Sequence, residues 1–332
     1  MDGMKNFDFI AIGDTAIDAF IKIERASVNC DINKENCQIC LDYANKVPYE
    51  SVTIVPAVGN SANAAICASR LGLKSAFVTN IGDDQYGKEC IKALESNGVS
   101  TQFVRINKNK KTNYHYVLWY QDDRTILIKH EEYDYELPNI GSPKWIYLSS
   151  LAENSLNFHY ELEAYLRNHP EVNLAFQPGT FQMRFGIEKL KGIYELTKVF
   201  ICNREEAQRI LDTDEDEPVK LMKMLREKGP KIVIVTDGPK GAYAYDGETS
   251  WFMPPYPDPK PPLERTGAGD SFASTFVSAF AIGKSFEDAL MMAPINPMSV
   301  VQHIGAQEGL LTLPEIEKYL QEALENYKPR RI

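Results

Sequence analysis

The sequence predicts an α/β fold: a doubly wound, mostly parallel sheet with helices on both faces, and a small separate β-sheet. Short apolar runs typical of buried strands alternate with segments of helical spacing, which is the rhythm of a parallel sheet. Two polar, alternating segments without helices, residues 20–56 and 112–132, interrupt that rhythm. The length of 332 residues fits one large domain, so we expect a single domain over 1–332.

The first half of the chain establishes the alternation of strand and helix. Each predicted strand is a short apolar run that ends at Gly-Asp, as buried strands do. Gly72 and Gly98 are the last residues of the two predicted helical segments, at the position where the end of a helix favours glycine. The predicted elements, in order, are strand 7–14, helix 61–72, strand 75–84 and helix 87–98.

The second half begins with a hairpin and then resumes the alternation. Residues 112–132 form two alternating strands around Gln121-Asp122-Asp123, and with 20–56 they would build the small sheet. Six prolines within 254–262 predict an extended connector that cannot be a central strand. The other predicted elements are strands 144–150, 173–178, 198–203 and 231–238, strands in AYAYDG and SWFMP, and helices 157–169, 218–229, from Gly269, around 287–303 and at 314–326.

Charge and composition exclude several classes of protein. Asp and Glu outnumber Lys and Arg by 46 to 36, giving a net charge of -10, and an acidic surface repels nucleic acid. No apolar run reaches the ~18 to 20 residues of a membrane span. The N-terminus lacks the basic region and cleavage site of a signal peptide, so we expect a cytoplasmic protein.

Six cysteines are expected to be reduced in that compartment. Cys67, Cys90 and Cys202 lie in apolar patterns and are predicted to be small buried residues. The polar cluster Cys30, Cys37 and Cys40 could bind a metal or serve in redox chemistry, but structural zinc needs four ligands. Ordinary loop cysteines are the alternative for this cluster.

The strongest chemical signal is Thr266-Gly267-Ala268-Gly269-Asp270, just before an apolar helix. Backbone N–H groups of such a turn, with the positive end of the helix dipole, make an anion cradle. A carboxylate beside that cradle is what phosphoryl transfer to an alcohol needs, since it accepts the hydroxyl proton. The alternative, that Asp270 only caps a helix, is equally compatible with this segment alone.

Other known motifs do not match. GDDQYGKE (82–89) has Glu89 where a P-loop needs a hydroxyl, and no G-x-G-x-x-G follows a strand. The five histidines have no metal-ligand spacing, and a serine hydrolase elbow is absent.

Six segments, in order, resemble the motifs of the ribokinase-like (PfkB) carbohydrate kinases, and the resemblance covers nearly the whole chain. Each motif alone is weak, but six in the family's order are specific. The resemblance implies a ribokinase-like fold in which about 19–56 and 108–132 form a lid over the site. The segments are GDTAID (13–18), VGNSANAA (58–65), NIGDDQYG (80–87), NREE (203–206), TDGPKG (236–241) and RTGAGDSF (265–272).

The resemblance also implies roles for individual residues. Asp270 would be the catalytic base beside the turn formed by Gly267, Ala268 and Gly269. The substrate would be held by Asp18, Gly59, Asn60 and Asn63. The nucleotide would be bound by Asn203, Thr236, Gly238, Gly241 and Gly269, with Mg²⁺ organised through water by Asn203 and Glu206.

Two departures from the family pattern affect these roles. Val58 replaces the first glycine of the substrate loop, and Glu264-Arg265 replaces the usual Asp-Thr of a monovalent cation site. Whether K⁺ binds therefore stays open. In relatives the lid also pairs across a dimer, which would cover the aromatic face of the hairpin. The cation site would comprise Glu264, Thr266, Val300, His303 and Gly305.

The function expected from these observations is ATP- and Mg²⁺-dependent phosphorylation of a hydroxymethyl group on a small sugar, as in ribokinase or fructokinase. A nucleoside such as adenosine is the alternative acceptor. A non-catalytic sugar-binding regulator is the alternative from another class. The intact set Asn203, Glu206, Gly267, Gly269 and Asp270 argues against it.

Overall fold

The computed structural model describes residues 7–30, 37–121 and 123–332, so Asp122 of the predicted turn and residues 1–6 lie outside it. Its strands are β1 Phe9–Ile12, β2 Ala16–Ile23, β3 Ser27–Asn29, β4 Gln38–Cys40, β5 Tyr49–Val58, β6 Ser75–Gly82, β7 Val104–Asn107, β8 Asn113–Tyr120, β9 Asp123–Leu127, β10 Trp145–Leu148, β11 Asn173–Phe176, β12 Thr197–Asn203, β13 Ile232–Thr236, β14 Ala242–Tyr245, β15 Ser250–Met253 and β16 Arg330–Arg331. Its α-helices are α1 Asn60–Arg70, α2 Gln85–Ser96, α3 Leu156–Asn168, α4 Thr180–Lys189, α5 Lys191–Leu196, α6 Arg204–Leu211, α7 Pro218–Arg226, α8 Ala268–Ala281, α9 Phe286–Met292, α10 Ile295–Val300 and α11 Leu313–Glu322.

A ten-stranded sheet forms the centre of the fold, in the order β16-β15-β14-β13-β12-β11-β10-β1-β6-β7. From β7 to β13 all neighbouring strands run parallel, and β14 to β16 are antiparallel. The chain runs outward from β1 to β6 and β7, then continues from β10 on the other side of β1. Such a reversal of strand order opens a crevice at the carboxyl ends of the strands, where ligands of open α/β sheets bind. The predicted doubly wound sheet is confirmed.

The two faces of this sheet bury two hydrophobic cores. Successive side chains of β1 point to opposite faces, so Phe9 and Ala11 join one core, and Ile10 and Ile12 join the other. The first core contains side chains from α1, α2 and α8 to α11. The second contains side chains from α3 to α7. Strands buried on both faces explain why these segments read as continuous apolar runs.

A second sheet, which we call the lid sheet, has the order β5-β2-β8-β9 and draws on both of the interrupting segments. Paired residues of neighbouring strands point to the same side. The register pairs Asp18 of β2 with His115 of β8, and Trp119 of β8 with Arg124 of β9. His115 and Trp119 are four residues apart along β8, so these side chains lie on one face of the sheet. This face, which we call the inner face, is turned toward the carboxyl end of the central sheet, since Phe20 and Val55 on it lie near Gly305.

Two sequence predictions are wrong. The helix predicted around 287–303 is two helices, α9 and α10, interrupted at Pro294 because proline breaks the hydrogen-bond ladder. Cys30 and Cys37 are not reduced thiols but form a disulfide, since the pairing of Asn29 with Gln38 in the β3–β4 hairpin brings them opposite each other. With Cys30 and Cys37 joined to each other, only Cys40 of this cluster keeps a free thiol, and among the described residues no group of three or more His, Cys, Asp and Glu side chains is placed to hold a metal ion.

Cys67, Cys90 and Cys202 are buried free thiols, as predicted, and Cys40 is a half-buried free thiol. In the described ranges, no helix combines the length and the apolar character needed to cross a membrane. Helices α4, α5 and α6 had no counterpart among the predicted elements.

Candidate active site

The segment in which the sequence predicted an anion cradle is the turn before α8. Gly267 caps the helix in a left-handed conformation with φ of 78°, which disfavours any residue with a side chain. A Cβ at Gly267 would also lie 2.2 Å from the Cβ of Ala306, so only glycine fits. Asp270 follows in the first turn, next to the free N–H groups of the helix start.

Two amide side chains hold the Asp270 carboxylate. Asn63 Nδ2 donates to Oδ2 at 2.9 Å, and Gln177 Nε2 donates to Oδ1 at 3.2 Å. Both amides are themselves fixed from behind. Gln307 donates to the Asn63 carbonyl oxygen at 2.9 Å, and the Tyr147 hydroxyl donates to the Gln177 carbonyl oxygen. Asp270 is thus oriented by two amide side chains, one from α1 and one from the segment after β11.

The electrostatic surroundings keep Asp270 basic. Burial raises the pKa of this carboxyl above its ordinary value, although the Asn63 and Gln177 amides and the charge of Arg124 act in the opposite direction. Arg124 lies on the inner face of the lid sheet, so the lid contributes a positive charge to the site. A carboxylate of raised pKa is a better proton acceptor than an exposed aspartate.

The residues predicted to hold the substrate lie along one edge of this crevice. Asp18 is 7% exposed on β2, and Asn63 is 4% exposed in α1. Gly59 caps α1 with φ of 116°, and a Cβ there would lie 2.9 Å from the Asp14 carbonyl oxygen, so glycine lets α1 approach the end of β1. Asn60 is the first residue of α1. Asn63 directly contacts Asp270, whereas Asp18 lies on the neighbouring sheet.

A separate cavity of about 420 Å³ lies on the other side of the turn before α8. Its wall includes apolar and proline residues from Met253 to Pro262 and from α10. Gly241 is required there, because a Cβ would lie 2.5 Å from the Met253 carbonyl oxygen. The structure brings five of the predicted residues together in this wall: Thr236, Gly238, Gly241, Ala268 and Gly269.

Asn203 and Glu206 form a capping box at the start of α6. Asn203 Oδ1 accepts from Glu206 N at 2.8 Å, and Glu206 Oε2 accepts from Asn203 N at 2.9 Å. Burial raises the pKa of Glu206, and the charge of Asp270 raises it further. The charge of the Asp270 carboxylate therefore acts on that of Glu206. The capping box engages Oε2 of Glu206 and does not use Oε1.

The predicted monovalent cation residues are already linked to one another. The buried Glu264 carboxylate accepts from Thr266 N at 2.6 Å and from Gly305 N at 2.8 Å. The Val300 carbonyl accepts from His303 N at 3.0 Å. Glu264 itself joins the two loops that a cation would join, so these residues do not fit the cation that the resemblance implied.

The turn NIGDDQYG anchors the lid sheet. Asp84 caps α2 by accepting from Gly87 N at 2.9 Å, and it also accepts from Thr112 N and Oγ1 at 3.0 and 2.6 Å. Thr112 directly precedes β8. A Cβ at Gly87 would lie 2.3 Å from the Gly82 carbonyl oxygen, which explains the glycine.

Comparison with known proteins relates this geometry to a family. The family model of the pfkB family carbohydrate kinases matches residues 21–313. The chain belongs to the pfkB family of carbohydrate kinases. Within this family it is 27% identical to the 5-dehydro-2-deoxygluconokinase of Geobacillus thermodenitrificans, over 96% of this chain and 95% of the relative.

Two solved structures have the same fold. The ribokinase of Arabidopsis thaliana, complexed with ribose and ATP, has a TM-score of 0.77 at 21% identity, covering 95% of this chain and 99% of that structure. A nucleoside kinase of Methanocaldococcus jannaschii has a TM-score of 0.75 at 18% identity, covering 96% and 99%. The chain is therefore a sugar kinase with a ribokinase-like fold.

Several residues of this pfkB kinase site were not found from the sequence. Gln177 reaches Asp270, and Tyr147 reaches Gln177, from distant segments that no local motif contains. Gln307 reaches Asn63 from a distant segment as well. His115 and Arg124 lay in the hairpin whose aromatic residues were predicted to pack within a small sheet. The strict alternation of that hairpin was the only signal that its polar residues share a face.

Proposed function

We propose that this sugar kinase transfers the γ-phosphoryl group of ATP to a hydroxymethyl group of a small sugar, with Asp270 as the general base. The observation that carries the proposal is the placement of Asp270 in the first turn of α8, with both oxygens held by amide donors. Its carboxylate follows Gly269, which lines the nucleotide-sized cavity, and it contacts Asn63, one of the residues predicted to hold the substrate. It is therefore placed to accept the proton of a hydroxyl that attacks from the crevice.

The nucleotide would occupy the cavity beyond the turn before α8. The proline-rich wall would contact the base, and backbone N–H groups of Gly267, Ala268 and Gly269 would bind the transferring phosphoryl group. Thr236, Gly238 and Gly241 would bind the remaining phosphates. Transfer of this group needs little covalent help from the protein, so positioning and charge stabilisation supply most of the catalysis.

The buried pair of carboxylates fits a magnesium ion. The charge of Asp270 adds to burial in raising the pKa of Glu206, and a divalent cation held near Glu206 would offset that repulsion. Oxygen ligands and bridging waters are what Mg²⁺ prefers. Asn203 and Glu206 would hold the ion through water, and the ion would neutralise charge on the phosphates.

An acceptor screen tests the proposal. Wild-type protein, ATP and Mg²⁺ are combined with pentoses, hexoses and ribonucleosides, and ADP release is measured. We expect transfer to at least one sugar, and Asp270→Asn should lower turnover by roughly 10²-fold or more while nucleotide affinity is retained. Asp288→Asn, at the exposed start of α9, serves as the matched control. Near-normal turnover of Asp270→Asn removes the assignment of the base.

The same screen separates the alternatives. Transfer only to ribonucleosides identifies a nucleoside kinase. Tight sugar binding without any transfer identifies a non-catalytic sugar-binding protein.

We also propose that the lid sheet pairs with a second copy of the chain through its outer face, which is the face opposite Asp18. The register places Ile54, Tyr116 and Leu127 in one row of that face, and they are 50%, 48% and 51% exposed. Val52, in the next row, is 42% exposed. Contiguous apolar surface of this kind marks an interface. Sedimentation should show a dimer that Ile54→Asp dissociates, and a wild-type monomer at micromolar concentration excludes it.

A further inference from the structure

A cluster of buried ionisable side chains lies where the lid sheet joins the end of β1. The Asp18 carboxylate is 3.2 Å from His115 Nδ1, and the Asp14 carboxylate is 3.8 Å from His130 Nδ1. The side chains of Asp14, Asp18, His115 and His130 are 5%, 10%, 16% and 21% exposed. Two carboxylates and two imidazoles are thus enclosed at the end of the crevice that leads to Asp270.

Three polar atoms of this cluster are buried without a hydrogen-bond partner in the described part of the chain. They are Asp18 Oδ1, His115 Nε2 and His130 Nδ1. A buried polar atom without a partner costs roughly 1–3 kcal/mol, so proteins rarely leave several in one place without a function. Three such atoms on adjoining side chains indicate a site that a polar ligand completes.

The rest of the cluster is fixed in place. The Tyr135 hydroxyl donates to both Asp14 oxygens, at 2.8 and 2.9 Å. The His130 ring packs edge-on between the rings of His115 and Phe181, with centroid distances of 5.4 and 5.8 Å. The imidazoles therefore have a defined orientation and cannot rotate freely to find other partners.

The chemistry of the unpaired atoms defines what they can bind. Asp18 Oδ1 lies 3.2 Å from His115 Nδ1 but forms no hydrogen bond with it. This carboxylate oxygen can accept a hydrogen bond, and His115 Nε2 can donate or accept one, depending on the tautomer of the ring. A carboxylate oxygen beside a ring nitrogen matches two sugar hydroxyl groups, because a hydroxyl group can both donate and accept. His130 Nδ1 provides a third polar contact nearby.

We propose that His115 and His130, together with Asp18, form a subsite for the hydroxyl groups at the far end of a free neutral sugar, and that they determine acceptor specificity. The inference rests on the proposed kinase function, because the subsite is the end of the crevice opposite Asp270.

Two other kinds of acceptor fit this subsite poorly. A sugar acid would place its carboxylate beside the Asp18 carboxylate, and like charges in an enclosed site repel. A nucleoside carries a base in place of the anomeric hydroxyl, so it would leave one of the unpaired polar atoms without its hydroxyl partner. A polar site discriminates strongly against an acceptor that lacks the matching hydrogen-bonding groups, because the buried polar atoms of the site are then left unpaired.

Matched acceptor pairs test the specificity. D-Ribose is compared with adenosine, which carries a base in place of the anomeric hydroxyl, and D-glucose with D-gluconate, which carries a carboxylate at that end. Binding is measured by calorimetry on Asp270→Asn without ATP, so that no transfer takes place, and kcat/KM is measured on the wild type. We expect the neutral, free sugar of a pair to be preferred at least about 10-fold, the effect of a single unmet polar contact.

Variants of the two histidines test the residues themselves. His115→Phe and His130→Phe should raise the KM for the preferred sugar roughly 10- to 100-fold, with kcat and the KM for ATP little changed. His115→Gln, which keeps a polar atom near the position of Nε2, should recover part of the loss. His169→Phe, at the end of α3 and stacked on Tyr165, is the matched control and should behave as the wild type.

The outcomes are distinguishable. Preference for adenosine over ribose or for gluconate over glucose overturns the inference while leaving the kinase function intact. Histidine variants that lose thermal stability but keep the wild-type KM also overturn it, because the cluster would then be structural. Absence of transfer to every acceptor removes the proposed function, and the inference with it.

Discussion

The central sheet and the lid sheet are made of similar strands but are buried very differently. Every residue of β1, β6 and β10 is buried, whereas four of the five residues of β9 are exposed. The central strands are covered by helices on both faces, and the lid strands are covered on one. Stability therefore resides mainly in the central sheet. The lid sheet, in which most of β9 and half of β5 are exposed, contributes the polar inner face of Asp18, His115 and Arg124.

The largest test of this difference compares one aromatic truncation in each sheet. Phe200→Ala in β12 removes a fully buried ring that packs on Phe176 and Tyr194, and it should lower the free energy of unfolding by about 3–5 kcal/mol. Tyr116→Ala in β8 removes a ring that is 48% exposed, and it should change the monomer by only about 0.5 kcal/mol. Urea denaturation measures both, and equal losses would contradict the comparison.

Asp18→Ala removes a lid residue that we expect to matter for binding rather than for folding. Losing the acceptor of two sugar hydroxyls should weaken acceptor binding by about 1–3 kcal/mol for each bond left unmade. The KM for ATP should stay the same, because the nucleotide cavity is formed by other elements. Steady-state kinetics and a thermal melt are measured together. A lower melting temperature with an unchanged acceptor KM would make Asp18 structural.

The central body should also carry a pH dependence of its own. Burial lowers the pKa of His159 from 6.5 to about 4, and the neutral ring donates from Nδ1 to the Ser155 carbonyl at 2.9 Å while Nε2 faces the Gln182 amide at 3.1 Å. At a pH between about 4 and 6.5, the His159 side chain binds a proton in the unfolded chain but not in the folded protein. Stability therefore falls as the pH falls through this window, by at most about 1.4 kcal/mol per pH unit.

Comparison with His159→Gln isolates this contribution, since other groups titrate equally in both proteins. The variant should lose stability less steeply between pH 6.5 and 4 than the wild type. Parallel slopes would show that His159 is not held neutral.

The smallest expected effect is the ordering of the lid on binding. Exchange of amide hydrogens in 49–58 and 113–127 should slow when the acceptor and a non-hydrolysable ATP analogue are added together, because closure excludes water from the site. Exchange in β1 and β10 should be slow in both states. Unchanged exchange in the lid segments at saturating ligand would exclude a closing motion.

The sequence predicted the central elements well because their signal is local. A strand buried on both faces is an apolar run, and a glycine after a helix marks its end, so 75–84 and 61–72 correspond to β6 and α1 with small shifts. The glycines of the active-site turn were identifiable for the same reason. Their conformation and close contacts are a property of the turn itself.

The parts that sequence reasoning missed depend on contacts between distant segments. Gln177 lies 93 residues from Asp270, and Gln307 lies 244 residues from Asn63, so their bonds exist only once the sheet has formed. The Cys30–Cys37 disulfide was missed because the expected compartment was used to assign the cysteines, whereas the hairpin geometry decides the pairing. The Glu264 link is similar, since a longer carboxylate reaches backbone N–H groups in two loops.

The bonds around Asp270 have a direction. Gln307 Nε2 donates to the Ala57 carbonyl at 2.6 Å, and a carbonyl can only accept, so the orientation of the Gln307 amide is fixed. Its second hydrogen goes to the Asn63 oxygen, and Asn63 must then present its own hydrogens to Asp270. Every link points toward the carboxylate, and an amide does not pass a proton backward. Under the proposed mechanism, a proton taken up by Asp270 would therefore have no exit through the interior, and it would leave through the ligand side when the products depart.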